Sequence, residues 1–255
     1  FFEKKPLFGK SIMVTRSRSQ NSKLVERIMD LGGNPIEIPT IKIEKVQDNK
    51  ELENEIKNLK DYTYLVLTSK NGVDIFFDKL DEMGLDCRAL ANIKVCSIGA
   101  ATSKAIIRRG IKPDIQPEKA VGESLYDELK DIVSKEDKIL IPRAKNAREF
   151  LVKKLNEISN VTEVVTYESV MDDSKKEEAI NALEEGNLDY ITFASSSTVT
   201  NFINLIGEEN KDKLSNTKII SIGKITTKTI LDNGLEVYKE SEKASIESMI
   251  EAMSE

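Results

Sequence analysis

The segment KVCSIGAATSKAIIRRGI (Lys94–Ile111) is repeated as KIISIGKITTKTILDNGL (Lys218–Leu235). Each copy starts with a short apolar run, the pattern of a buried strand, and continues with apolar residues at helical spacing. The alignment extends without a gap from Lys94–Leu129 to Lys218–Met253, with 13 identities in 36 positions. Because a strand and a helix recur at a constant offset, the sequence predicts two related α/β domains with parallel sheets.

Two further similarities show how the chain is divided between these domains. YLVLTSKNGV (Tyr64–Val73) resembles YITFASSSTV (Tyr190–Val199), and SIMVTRSR (Ser11–Arg18) weakly resembles KILIPRAK (Lys138–Lys145). The unit that matches Lys138–Lys145 therefore lies at the start of the chain, so one domain is split and the other is inserted into it. We predict two similar flavodoxin-like domains joined by a two-stranded hinge, with the functional site in the cleft at the carboxyl ends of the strands. The predicted parts are a leader (1–9), a discontinuous domain (10–38 plus 173–255), an inserted domain (50–165) and two connections (39–49 and 166–172).

Short apolar runs predict the strands of the two sheets, and amphipathic segments predict helices between most of them. The predicted strands are Ser11–Thr15, Pro35–Ile38, Tyr64–Thr68, Lys94–Ile98, Asp114–Gln116, Lys138–Ile141, Val161–Val165, Tyr190–Ala194, Lys218–Ile222 and Glu236–Tyr238.

The composition excludes several classes of chemistry. The 255 residues include no His and only two Cys, which excludes Ser-His-Asp triads, Cys-His dyads, histidine metal sites and a four-ligand zinc site. The net charge of −6 argues against nucleic acid as a partner, although it allows an anionic small substrate. No apolar run reaches the roughly 18 residues of a membrane span, so we expect a cytoplasmic protein without a membrane partner.

The motif SIGxxT occurs at the same place in both copies, where a strand ends and a helix begins. Its glycines are Gly99 and Gly223, and its threonines are Thr102 and Thr226, with Lys224 following the second glycine. Glycine allows the backbone to turn close to a ligand, and free N–H groups at a helix start favour a carboxylate or phosphate. The alternative is a simple strand–helix turn in which the threonine caps the helix.

Other predicted strand ends carry hydroxyl, amide or guanidinium groups. The candidate anion-binding residues there are Thr68, Ser69 and Asn71 in TSKNG, Ser195, Ser196 and Ser197 in ASSST, Thr15 and Arg16 in TRSR, and Arg143 in PRAKNAR. Helix capping alone, or a solvated basic turn, would explain each motif without a ligand. Together they favour a ligand with several carboxylates or phosphates, and no Walker A or GxGxxG motif supports a nucleotide.

Tyr167 lies in VVTYESV, within a predicted connection between the domains. There its hydroxyl can donate a hydrogen bond or act as a weak acid, because the reference pKa of tyrosine is about 10. The alternative is an aromatic side chain that only packs between the two domains.

The ordered motifs resemble those of uroporphyrinogen-III synthase. The set comprises TR near the start, TSxNGV, SIGxxT, IPR, TYESV, a serine-rich strand end and a second SIGxxT, and it covers about residues 9–254. The resemblance implies a lyase of porphyrin and tetrapyrrole biosynthesis (haem, sirohaem or cobalamin) that needs no cofactor and no metal. It cyclises hydroxymethylbilane, a linear tetrapyrrole with eight carboxylates: loss of the hydroxyl gives an azafulvene cation, ring D attacks to form a spiro intermediate, and reclosure inverts ring D.

The resemblance also implies roles for individual residues. Tyr167 matches a family tyrosine that assists departure of the hydroxyl or binds a propionate, and Thr226 matches a family threonine. Ile225 departs from the pattern, since some relatives have threonine there. The leader, Phe2–Lys10, resembles the joint of fused proteins, which predicts an upstream uroporphyrinogen-III C-methyltransferase module as a partner. The deaminase that produces hydroxymethylbilane is a second expected partner.

Two other classes of protein fit parts of the pattern. Two α/β domains joined by a hinge also describe a non-catalytic sensor of small molecules, which usually has a secretion signal or a DNA-binding headpiece. A two-domain glycosyltransferase would need acidic residues at a nucleotide site, and no predicted strand end provides a convincing set.

Overall fold

The computed structural model describes residues 5–15 and 18–254 and consists of two compact units. The continuous unit contains Ile43–Ser169, and the split unit contains Phe1–Lys42 together with Val170–Glu255. Each unit has a five-stranded sheet with helices, so the predicted class of two similar α/β domains with parallel sheets is confirmed. Among the described residues, no helix has the length and apolar character needed to span a membrane.

The split unit has the strand order β2-β1-β8-β9-β10, which is the flavodoxin-like order. Its strands are β1 (Ser11–Val14), β2 (Asn34–Glu37), β8 (Tyr190–Phe193), β9 (Lys218–Ser221) and β10 (Lys239–Glu240). Its helices are α1 (Arg18–Asp30), α7 (Lys176–Glu184), α8 (Ser196–Ile206), α9 (Lys224–Asp232) and α10 (Ile246–Ser254).

The continuous unit has the strand order β3-β7-β6-β4-β5. Its strands are β3 (Ile41–Lys45), β4 (Tyr64–Leu67), β5 (Lys94–Ser97), β6 (Lys138–Ala144) and β7 (Asn160–Met171); the first two residues of β3 and the last two of β7 belong to the split unit. Its helices are α2 (Lys50–Lys57), α3 (Lys70–Glu82), α4 (Ala100–Arg108), α5 (Gly122–Leu129) and α6 (Phe150–Ile158). Strands β7-β6-β4-β5 repeat the order β2-β1-β8-β9 of the other sheet, but the chain enters this unit at a different strand.

Strand β4 shows why these segments form parallel sheets with both faces covered. All four residues of YLVL are buried. Leu65 and Leu67 pack with α3 residues such as Phe76 in one apolar cluster, whereas Tyr64 and Val66 pack in a second cluster. Alternate residues thus bury their side chains on opposite faces, as expected for a continuous apolar strand inside a parallel sheet.

Strand β3, which lies in a segment predicted to be a connection, is placed beside β7 at the edge of its sheet. The N–H of Val46 donates to the carbonyl of Thr166, and the N–H of Asp172 donates to the carbonyl of Thr40. These two pairs run in opposite directions along the chain, so β3 and β7 are antiparallel.

Several elements differ from the predicted ones. Asp114–Gln116 does not form a strand and makes only an isolated bridge from Ile115 to Cys96, because the Asp114 carboxylate accepts the N–H of Val95. The last strand is Lys239–Glu240 rather than Glu236–Tyr238, although the N–H of Tyr238 already bonds to the sheet. In the segment assigned to the leader, Leu7 is fully buried and its N–H bonds to Leu31.

Candidate functional site

The carboxyl end of β4 in the continuous unit brings together a serine and a tyrosine that are far apart in sequence. Ser69 caps α3, because its Oγ accepts the N–H of Gly72 at 3.0 Å. The same Oγ lies 2.7 Å from the hydroxyl oxygen of Tyr167, which is in β7 and only 6% exposed. Thr68 and Asn71 lie beside Ser69 and are half-buried. The structure therefore groups four predicted site residues at one strand end.

Arg143 lies within β6 rather than after it, since this strand continues three residues beyond its predicted end. Its guanidinium is buried and forms an ion pair of 2.7 Å with Glu163. It also donates to the carbonyl of Ala147 at 2.5 Å. The interpretation of PRAKNAR as a solvated basic turn is therefore wrong for Arg143, whereas Arg148 is exposed.

A cavity of about 150 Å³ opens beside these groups in the continuous unit. It lies at the carboxyl ends of β4 and β6 and at the first residues of α5 and α6, and it contains both arginines of this region. Its lining residues are Thr68, Ile98, Gly122, Glu123, Ile141, Arg143, Ala147, Arg148, Phe150, Leu151 and Val152. The apolar floor, the two guanidinium groups and the helix N-termini suit a ring that carries acidic side chains.

The serine-rich end of β8 in the split unit mirrors the end of β4. Ser195 caps α8 in a capping box with Thr198, and its Oγ lies 3.0 Å from that of Ser197. The hydroxyl of Ser196 donates to the carbonyl of Ile225 at 3.2 Å, linking this strand end to α9. The three serines are thus brought together with the second SIGxxT motif.

Not every predicted residue of the split unit offers its side chain to a ligand. Thr15 is fully buried and donates its hydroxyl to the carbonyl of Thr192 at 2.8 Å, an arrangement that favours a structural role. Arg16 lies outside the described residues. Lys224 is exposed at the start of α9, and the neighbouring Ile225 is 81% exposed.

The threonines of the two SIGxxT motifs do not occupy the cap positions. Gly99 and Gly223 cap α4 and α9, and in this described part of the chain neither cap residue supplies a side-chain acceptor. Thr102 and Thr226 lie in the first turns and are buried. Among the residues that the structure describes, the cap residue of neither helix provides a side chain to its first-turn N–H groups, which leaves these groups suited to an anion.

The residue that follows each of these threonines, Ser103 or Thr227, was not predicted to belong to the site. Ser103 Oγ lies 2.7 Å from Ser97 Oγ, and Thr227 Oγ1 lies 2.9 Å from Ser221 Oγ, so in both copies this hydroxyl links the helix to the strand end. Thr227 also bonds to Glu240. Both copies of the repeat have a hydroxyl residue at this position, and that match is the sequence signal that could have identified it.

The two glycines give a matched pair for substitution. Gly99 has φ +83° and ψ 150°, and an added Cβ would lie 3.3 Å from Ala120. Gly223 is extended, with φ 166°, and an added Cβ would meet nothing within 4 Å. We expect Gly99→Ala to lower the free energy of unfolding by about 1–3 kcal/mol, because few side chains tolerate this conformation. Gly223→Ala should change it by less than about 0.5 kcal/mol in urea denaturation; equal losses would contradict this expectation.

Neither the buried Cys96 thiol nor a metal cluster provides a competing site among the described residues. Burial raises the pKa of the Cys96 thiol to about 12, so it is not a thiolate at neutral pH. Within residues 5–15 and 18–254, no cluster of three or more His, Cys, Asp or Glu side chains could hold a metal ion.

Residues 22–251 match the family model of uroporphyrinogen-III synthase HemD. The chain belongs to the uroporphyrinogen-III synthase family. The resemblance seen in the ordered motifs is thereby confirmed.

Individual relatives agree with this assignment. A porphyrin biosynthesis protein HemD of Ruminiclostridium josui is 35% identical over 100% of this chain, which spans only 50% of that relative. A putative uroporphyrinogen-III synthase of Methanocaldococcus jannaschii is 30% identical over 86% of this chain and 88% of its own. The crystal structure of a mutant uroporphyrinogen III synthase from Thermus thermophilus covers 95% of this chain and 96% of its own, with a TM-score of 0.60 at 18% identity. That similarity shows a shared fold.

Proposed function

We propose that this chain catalyses the reaction named by its family, the cyclisation of hydroxymethylbilane to uroporphyrinogen III with inversion of ring D and loss of water. The observation that carries the proposal is the Tyr167–Ser69 contact at a strand end, beside a cavity that contains Arg143 and Arg148. A linear tetrapyrrole with eight carboxylates supplies the charges that this end of the sheet can bind.

In this proposal the strand ends bind and orient the substrate. N–H groups at helix starts, serine hydroxyls and Arg148 bind acetate and propionate groups, while the apolar part of the cavity accepts a pyrrole ring. Holding the chain folded favours attack by the substituted carbon of ring D over spontaneous head-to-tail closure. The main contribution is thus positioning of reacting atoms, and exclusion of water protects the cation from hydrolysis.

We assign Tyr167 to the departure of the hydroxyl. The phenol gives its proton to the leaving oxygen, the C–O bond breaks, and water and an azafulvene cation form. Ring D then attacks, the spiro intermediate opens and recloses, and the proton released as the last pyrrole regains its aromaticity restores the phenol. The reaction balances as loss of one water, without an oxidant or reductant.

The partners of the reaction belong to the same proposal. Hydroxymethylbilane is the substrate, supplied in the cytoplasm by the deaminase that produces it. A methyltransferase module in the same polypeptide fits the fact that the chain spans half of its Ruminiclostridium josui relative.

Isomer analysis tests the function directly. Hydroxymethylbilane is generated in situ, the protein is added at catalytic concentration, and the oxidised products are separated as uroporphyrins I and III. Mostly isomer III supports the proposal. If a folded protein yields only isomer I, the proposed function is contradicted for this chain. Binding of a sugar would then favour a sensor, and binding of a nucleotide sugar would favour a transferase.

Tyr167→Phe should lower kcat while isomer III remains the main product. The other strand-end groups still position the substrate, so isomer III still forms. Loss of a single acid catalyst lowers kcat by up to about 10²- to 10⁴-fold, and by less where the hydroxyl also leaves spontaneously. Steady-state kinetics with isomer analysis measure this, and Tyr126→Phe, at a residue without a role in the proposal, is the matched control. Unchanged kcat in Tyr167→Phe would remove the phenol from the mechanism.

A further inference from the structure

A β-bulge in β7 fixes the backbone at Tyr167. Arg143 pairs with Val165 and Ala144 pairs with Tyr167, so Thr166 is an extra residue on this strand. The Thr166 hydroxyl donates to the carbonyl of Arg143 at 3.2 Å. The carbonyl of Tyr167 accepts the N–H of Lys145 at 2.9 Å. Bulges of this kind redirect side chains, and this one is held by hydrogen bonds on both sides of the extra residue.

The redirected tyrosine reaches the end of a strand that is not its neighbour. Ser69 follows β4, and β6 lies between β4 and β7 in the sheet. The ring of Tyr167 therefore spans the width of one strand to place its oxygen 2.7 Å from Ser69 Oγ. With 6% of the residue exposed, the phenol has little freedom to adopt another rotamer.

Ser69 can serve both protonation states of the phenol. A serine hydroxyl has one hydrogen and two acceptor positions, and the Gly72 N–H occupies one acceptor position. The other can accept the proton of the neutral phenol. When the phenol has lost its proton, rotation of the Ser69 hydroxyl lets it donate instead, without breaking the bond from Gly72.

The contact is more than a by-product of helix capping. Ser195 occupies the corresponding position of the repeat in the split unit and also accepts a backbone N–H, that of Thr198. Its hydroxyl lies against Ser197 and Thr198. A cap at this strand end thus forms in the related unit without a tyrosine.

We propose that Ser69 is a positioning residue for Tyr167: it holds the phenol oxygen at the strand end and stabilises it after its proton has been given up. This proposal rests on the proposed function and adds to it the residue through which the tyrosine is held. It differs from the prediction that Ser69 binds a substrate carboxylate, because Ser69 then acts on kcat rather than on KM.

The experiment compares Ser69→Ala, Ser69→Gly and Ser69→Thr in the full chain, each with Tyr167 or with Tyr167→Phe. Glycine retains much of the cap preference and provides a second variant if alanine fails to fold. Threonine retains both the cap and the hydroxyl. Asp86→Ala removes the cap of the short 3₁₀ helix Cys87–Leu90, where Asp86 accepts the Arg88 N–H, together with an exposed ion pair to Arg88; it is the control for the loss of a cap away from Tyr167.

We expect Ser69→Ala and Ser69→Gly to lower kcat roughly 2- to 10-fold, the effect of one hydrogen bond, with KM unchanged. Ser69→Thr should restore kcat, and the alanine and glycine changes should have no further effect in the Tyr167→Phe background. Three results would overturn the proposal: an unchanged kcat, a change in KM alone, or the same loss of kcat with and without the tyrosine hydroxyl.

A measurement without turnover separates this proposal from the function itself. In protein labelled with ¹³C-tyrosine, Tyr167→Phe identifies the Cζ resonance of Tyr167. We expect that resonance to move in Ser69→Ala and to stay in place in Asp86→Ala. If it stays in place in Ser69→Ala, the contact and the positioning role are overturned, even when the unaltered chain makes isomer III. If only isomer I forms, the proposed function fails, whatever the resonance does.

Discussion

Arg143→Met is expected to lower the free energy of unfolding by about 2–3 kcal/mol and kcat/KM by roughly 10- to 100-fold. The guanidinium is 7% exposed, whereas its partner Glu163 is 49% exposed. The Glu163 carboxylate therefore stays hydrated in the variant. The loss of stability comes mainly from the Ala147 carbonyl, which loses its guanidinium donor, and from the volume left beside it. Activity falls because a cation at the candidate binding cavity disappears.

Arg148→Met is the matched control for this prediction. Arg148 lines the same cavity but is exposed, so its loss should change the free energy of unfolding by less than about 0.5 kcal/mol. Any effect on KM should shrink as salt is added, because exposed charges are screened. Urea denaturation and kinetics on both variants provide the comparison; equal losses of stability would contradict the structural role of Arg143.

Phe76→Ala is expected to lower the free energy of unfolding of the continuous unit by about 4 kcal/mol, the usual cost of removing a buried ring. Phe76 is fully buried and meets Phe77 edge to face, with ring centres 5.6 Å apart. It packs among Leu65, Val73 and Leu80, which have no room to close the cavity that alanine would leave.

Phe202→Ala is the corresponding change in the split unit, since Phe202 is also fully buried and lies 5.8 Å from Phe193. Hydrogen exchange read by mass spectrometry should show lost protection in Ile43–Ser169 for Phe76→Ala and in the other segments for Phe202→Ala. Loss of protection throughout the chain in both variants would show that the two units unfold together.

The repeat made most of the fold predictable. Lys94–Leu129 and Lys218–Met253 fix two strand–helix units, and apolar runs such as Tyr64–Leu67 give the adjacent strands because parallel strands are buried on both faces. The strand β3 was missed because Ile41–Lys45 is mostly exposed and carries alternating charge, which gives no signal of burial.

The sequence predicts which types of residue lie at the candidate site better than it predicts what each residue does there. Strand ends in a parallel sheet collect at one edge of that sheet, so Ser69 and Ser195 could each be assigned to this edge of its own sheet from sequence alone. Whether a hydroxyl is free depends on its neighbours in space: Thr15 bonds to Thr192, 177 residues away. The pairing of Tyr167 with Ser69 depends on a bulge at Thr166, and local sequence carries no periodic signal for a single extra residue.

The strand order has a consequence for the nascent chain. Strand β1 lies between β2 and β8, and Met13 pairs with Ile191, so this edge of β1 stays without its partner until most of the polypeptide has left the ribosome. At roughly 5–20 residues per second, the wait lasts on the order of ten seconds or more, and Ile43–Ser169 is complete before it ends. During translation β1 and β2 therefore present an unpaired strand edge, which is where chaperones would be most needed and where aggregation during overexpression would begin.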